Sequence, residues 1–203
     1  MTKEEKISWL TNLYQKQGYA IDEINLIGIR NSKDIELDVI NDYLGYWTND
    51  AIVLSPGTTE PSVYWTKDKT ARSSSGTFHL STGFHKSIWC VGIHRGYEAL
   101  VNDYRYCKPT KGWRDVNYDF VENAKDVEVC DYFGINFHRM SENIVVKLIG
   151  RFSAGCQVFQ NHVDFDNCLY TIKTSAMYKN VATKTVFNYL LIDIKDLPAG
   201  FLV

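Results

Sequence analysis

Apolar residues along this chain of 203 residues recur with two different periods, and the change from one to the other predicts the elements. Ile7, Leu10, Leu13 and Tyr14 repeat at helical spacing behind a Thr2…Glu5 pair of capping-box type, and Gly18 ends the run. Residues 3–17 are therefore expected to form an amphipathic helix packed on the rest. Ile24–Arg30 reads as a strand ending in an Asn-Ser turn, whereas Ile35, Val39, Ile40 and Leu44 favour a helix over 35–44. Ala51–Leu54 is a short buried strand running into the loop Ser55-Pro56-Gly57-Thr58-Thr59-Glu60-Pro61, and the Ser-rich stretch 67–77 is an exposed loop. Phe78–Ser81, Ser87–His94 and Ala99–Asn102, with turn residues between them, suggest an antiparallel meander. Lys108–Asp119 reads as a polar loop around Trp113. Asn161 can cap a helix with Phe165, Leu169 and Ile172 on one face, and Thr185–Ile194 is the clearest late strand. The expected fold over 1–203 is a mainly β single domain, a β-sandwich or distorted barrel, with an N-terminal helix and one helix after residue 160.

Composition narrows the partners. With 22 Lys and Arg against 24 Asp and Glu, the net charge is −2, and no basic run is present, which argues against a nucleic-acid backbone. No apolar stretch has the length of a membrane span. The first twenty residues are too polar for a signal peptide, so the chain is expected to be cytoplasmic as synthesised. Aromatic residues are plentiful, which favours strands and an aromatic-lined groove. Five cysteines, 90, 107, 130, 156 and 168, form no CxxC pair and read as buried thiols in a reducing compartment.

Chemistry concentrates between Gly134 and Gln160. Cys156 follows Ser153-Ala154-Gly155 in a turn after a strand-like run, the placement of a nucleophile. His138 lies eighteen positions earlier, which suits the meeting ends of two antiparallel strands. Its imidazole can take the thiol proton and leave a low-pKa thiolate. Gly155 permits a sharp turn whose N–H groups, at Gly155 and Cys156, point at a developing oxyanion. Ser153 bonds either the reacting groups or the turn backbone. Arg139 and Arg151 are candidates to hold a substrate carboxylate, or are ordinary solvated charges. The segments His94-Arg95-Gly96-Tyr97-Glu98 and Trp113-Arg114-Asp115 carry more polar and aromatic groups than turns require, so His94 and Trp113 join the substrate-binding candidates. His79, His85, Cys90 and His94 could supply zinc ligands, but their spacings fit no zinc signature, and neither metal nor other cofactor is expected.

His138, fourteen intervening residues and then Ser153-Ala154-Gly155-Cys156-Gln157 resemble the catalytic signature of the L,D-transpeptidases, the YkuD-type cysteine enzymes of peptidoglycan metabolism. The resemblance covers about 25 residues, within a looser match over roughly 45–195. It departs from that pattern at Ala154, where the family has a second histidine, and at Gln157, which keeps an amide where the family has Arg or Asn. What it implies is acyl transfer or hydrolysis on peptidoglycan stem peptides, with Cys156 as nucleophile, His138 as base, and Gln157 beside the substrate. Those enzymes work outside the membrane. A chain without an export signal would then reach the wall by lysis or injection, as a phage-encoded enzyme does. The alternatives are an inactive peptide-binding module on the same scaffold and a zinc-dependent hydrolase.

Overall fold

The computed structural model describes residues 1–35, 38–181 and 183–202. Helix α1 (Lys3–Gln17) starts at Thr2, whose hydroxyl accepts the Glu5 N–H while the Glu5 carboxylate accepts the Thr2 N–H, and it ends at the left-handed Gly18. Eight strands follow a closed circuit: β1 (Asn25–Arg30), β2 (Asp42–Trp47), β3 (Ile52–Thr58), β5 (Gly83–His94), β6 (Tyr97–Val101), β9 (Phe137–Arg139), β10 (Gln157–Phe159) and β11 (Val186–Asp193). Their order around the barrel is β1-β11-β5-β6-β9-β10-β3-β2. A second, antiparallel sheet has the order β4-β7-β8, from β4 (Thr77–Leu80), β7 (Thr110–Asp115) and β8 (Val127–Asp131). Short helices α2 (Val63–Lys67) and α4 (Ala176–Lys179) and the longer α3 (His162–Thr174) complete the fold. Among the described residues no helix is long and apolar enough to cross a membrane.

Parallel pairing of β1 with β11 closes the barrel and sorts side chains between two faces. Ile27, Ile29, Leu190 and Ile192 pack outward under Leu10 and Tyr14 of α1. Burying those two side chains contributes about 1.5–3 kcal/mol each. Leu26, Tyr189 and Leu191 turn inward and join Leu44, Trp89, Phe137 and Phe159, and Phe165, Leu169 and Ile172 of α3 pack into the same cluster. Gly28 is required here, because a Cβ would stand 1.8 Å from the Tyr189 hydroxyl.

Several expectations change. The helical reading of 35–44 gives way, because Asp42, Leu44 and Tyr46 alternate as part of β2; residues 36 and 37 lie outside the described residues. The three runs expected to form one meander divide between sheets: β5 and β6 pair with each other, whereas β4 pairs with β7. Much of the stretch read as a polar loop is β7, whose partners come from distant sequence. Finally, β9 and β10 run parallel, Val158 opposite His138, so the chain crosses over between them where an antiparallel return was expected.

Candidate functional site

Parallel pairing brings Cys156 beside Asn136, because the Gln157 N–H donates to the Asn136 carbonyl at 2.9 Å and extends the ladder by one step. The Asn136 N–H donates to the Cys156 sulfur at 3.4 Å, and the thiol leans on the Gly134 carbonyl at 3.8 Å. His138, two residues on from Asn136, falls on the same face of β9. Ser153 shapes the turn: its hydroxyl donates to the Cys156 carbonyl at 2.8 Å and accepts the Gly155 N–H at 3.1 Å. Gly155 has φ +118°, and a Cβ there would lie 2.6 Å from the Phe78 carbonyl. Its N–H is thus engaged, which corrects the expectation that it is a free oxyanion donor.

Hydrogen bonds fix the state of both imidazoles at the site. His138 Nδ1 sits 2.9 Å from the Arg139 carbonyl, which can only accept, so Nδ1 carries the proton and Nε2 keeps a lone pair. The Tyr97 hydroxyl, 3.2 Å from both groups, braces the arrangement. Asn136 Oδ1 accepts the Asn102 N–H at 3.0 Å, which leaves Asn136 Nδ2 facing His94 Nδ1 at 3.0 Å. His94 Nδ1 must accept, so its proton is on Nε2. The two rings stack with centroids 4.3 Å apart, one offering a base and the other a donor.

Electrostatics keep all three groups neutral at rest. Burial, then the neighbouring His94, pushes His138 down to about 3. Burial and the Arg95 charge also lower His94. Burial raises the Cys156 thiol, against opposing contributions from the Asn136 N–H and Arg95. The expected low-pKa thiolate is therefore replaced by a protonated thiol, because desolvation outweighs the one N–H contact.

Other candidates are dispersed. Gln157 is fully buried; its amide donates to the Thr59 and Gly155 carbonyls and accepts from the Tyr189 hydroxyl at 2.7 Å, so it braces the turn from inside the barrel. Arg139 is paired with Glu142 at 3.1 Å and lies over the Tyr97 ring, while the exposed Arg151 lies over Tyr64. Trp113 stacks on His79 at 4.0 Å and lines a separate cavity of about 350 Å³ with Arg30, Glu60 and Phe120. It does not meet the thiol. The zinc candidates also separate: His79 binds Glu60, His85 the Ser81 carbonyl and His94 Asn136, while Cys90 lies by the Val101 carbonyl.

Sequence reasoning missed Asn136, the hub of the site, although a polar residue between Ile135 and Phe137 was a signal. It also missed the buried group formed by Arg30, Asp42, Thr59, Glu60 and His79. There Arg30 pairs with Glu60 and donates to Thr59, and Asp42 accepts from the Thr59 N–H at 2.6 Å. No family model matches this chain, and no curated protein or solved structure matches it.

Proposed function

We propose that the protein is a cysteine-dependent acyl-transfer enzyme acting on peptide bonds of peptidoglycan stems, on a divergent L,D-transpeptidase-like scaffold. The observation that carries this reading is the group around Asn136: a partly exposed thiol, an imidazole with its Nε2 lone pair available, and a stacked imidazole with an N–H to give. As the sulfur attacks the scissile carbonyl, its proton passes to His138 Nε2 and a C–S bond forms. The Cys156 N–H steadies the oxyanion as first expected, and His94 Nε2–H takes the place of the engaged Gly155 N–H. Collapse breaks the C–N bond, and the imidazolium gives its proton to the leaving amine. Water then attacks the thioester, loses its proton through His138 and regenerates the thiol. An amine in place of water gives transpeptidation.

The raised thiol pKa favours a second reading, a peptide-binding module without turnover. Muropeptides with tetrapeptide and pentapeptide stems separate the two. Product masses should show loss or exchange of the terminal residue with wild type and none with Cys156→Ala, because loss of the nucleophile in the best-studied triad costs on the order of a million-fold. Equal activity in both proteins removes the mechanism, and no turnover in either leaves the binding module.

A further inference from the structure

Two of the cysteines that read singly as packing are packed against each other. Strand β5 carries Cys90 opposite Val101, the last residue of β6. Beyond Val101 the chain turns at Asp103, whose carbonyl accepts the Tyr106 and Cys107 N–H groups at 3.0 and 2.8 Å. It then comes back along β5, where the Lys108 N–H donates to the Ser87 carbonyl at 2.8 Å. Asn102 closes this loop from inside: its Nδ2 donates to the Ile88 carbonyl at 2.7 Å and to the Lys108 carbonyl at 2.9 Å. The return therefore ends with Cys107 beside Cys90.

Both side chains are buried, at 0% and 4% exposure, and both are free thiols. Their sulfurs lie 3.8 and 3.6 Å from one acceptor, the Val101 carbonyl oxygen, and the Cys107 thiol also hydrogen-bonds to Cys90. Packing alone asks for an apolar group at each position and not for a second thiol. A disulfide asks for two sulfurs held side by side on a backbone that does not have to move. The hydrogen bonds of Asn102 and Lys108 hold the backbone in that way on both sides of the loop. The other three cysteines stand elsewhere, Cys130 on β8, Cys156 at the Ser153 turn and Cys168 on α3.

We propose that Cys90 and Cys107 are a disulfide-forming pair, oxidised by a low-molecular-weight disulfide such as oxidised glutathione, and that the bond fastens the 102–108 loop to β5. One protein thiolate attacks a sulfur of the reagent, forming a mixed disulfide and releasing one glutathione thiolate. The second cysteine, as thiolate, attacks the protein sulfur of that mixed disulfide, which forms the Cys90–Cys107 bond and releases the other glutathione. Two protein thiols are oxidised, one reagent disulfide is reduced to two thiols, and the two protons pass to these. Local opening of the loop, whose Tyr104 and Tyr106 are already exposed, admits the reagent. The Asn102 N–H at the start of the loop donates to Asn136 Oδ1, and Asn136 in turn meets Cys156 and His94. The bond thus stiffens the support of the candidate site from behind. A reducing compartment keeps the pair as thiols, and an oxidising one closes it. The inference rests on the two thiols alone; only an effect on turnover would rest on the acyl-transfer reading.

Full-length protein is equilibrated with mixtures of oxidised and reduced glutathione, remaining thiols are alkylated, and tryptic peptides are read by mass. The peptides holding Cys90 and Cys107 should be joined, and the link should be absent from Cys90→Ala and Cys107→Ala. In urea the same bond should need a mixture roughly a hundred-fold more oxidising, because the fold gives the bond what the bond gives the fold. The oxidised wild type should melt roughly 5–10 °C higher than the reduced protein, and exchange of the Asn102 N–H should slow by at least about tenfold. Cys90 and Cys107 fully alkylated at the oxidising limit, a bond made as readily in urea, or a link to Cys130 or Cys156 in its place would each overturn the pairing. Unchanged Asn102 exchange in the bonded protein would overturn the fastening of the loop. If an alanine variant does not fold, the wild-type comparison in and out of urea decides. A bond that forms in a protein without turnover on any stem peptide leaves the pair standing and sinks the acyl-transfer reading; turnover without the bond does the reverse.

Discussion

His138 shows how one residue's surroundings decide its chemistry. An imidazole lowered from 6.5 to about 3 stays neutral throughout the neutral range, so its lone pair is not titrated away there, although it is a weaker base than an exposed histidine. The acid limb of kcat/KM should therefore be missing near pH 6.5; activity should hold from pH 7 to pH 5, and a fall centred near 6.5 would show the base to be an ordinary exposed histidine. Stability carries the same signature. The folded pKa lies below the unfolded one, so the unfolded chain binds more protons between them, and the contribution of neutral His138 is full above about 6.5 and lost as pH falls towards 3. Asp42 runs the other way: burial raises it to about 6 from 3.8, so its share is present below 3.8 and lost as pH rises to 6. The two oppose each other between pH 4 and 6, which makes the comparison with a His138→Gln variant the informative one. The variant should lack the acid loss, so the gap in urea midpoint should narrow with falling pH by an amount worth a few kcal/mol at most. A gap independent of pH would mean that His138 titrates alike in both states.

At the scale of elements, the Ser153–Cys156 turn is braced through the barrel from strands that never touch the thiol. β1 lies against β11 closely enough that Gly28 leaves space for the Tyr189 hydroxyl, which reaches Gln157, which in turn holds the Gly155 carbonyl. Gly28→Ala should drive the tyrosine from its place and destabilise the fold by about 1–3 kcal/mol. Tyr189→Phe should cost less stability, about 1–2 kcal/mol, yet lower kcat, because Gln157 keeps its volume and loses a partner. Thermal unfolding and turnover measured together test this; kcat unchanged in Tyr189→Phe would show the brace to be purely structural. How much of this was legible depended on where each element finds its partners. Helix α1 carries its own signals in Thr2, Glu5 and Gly18, and β11 is an apolar run broken only at Asn188 before it ends at Asp193, so both were readable at nearly their observed bounds. In β7 the sequence Thr110-Lys-Gly-Trp-Arg-Asp has no apolar alternation, because its two faces serve two different cavities. The same parity puts Trp113 and its neighbour Arg114 in the walls of different cavities. Cys156 and His138 could be named from spacing, but the parallel ladder that seats them needs a crossover that local sequence does not reveal.

For the whole molecule, the seam between β1 and β11 is the consequential feature. Leu26 pairs with Tyr189, so the barrel shuts only when strands from opposite ends of the sequence meet. Contacts this distant make folding slow, and refolding from urea should fall in the millisecond-to-second range or beyond. A chain ending at residue 180 lacks β11 and should show no cooperative transition; a sharp one would mean that the remaining strands close without it. In time rather than space, the seam acts as a clock. While the chain is being synthesised its thiol and both histidines are present but unassembled, since the inward-facing Tyr189 that steadies Gln157 arrives on the last strand. The surroundings of the thiol are therefore complete only once β11 has paired with β1, so an interval separates the appearance of Cys156 in the chain from the assembly of the groups around it.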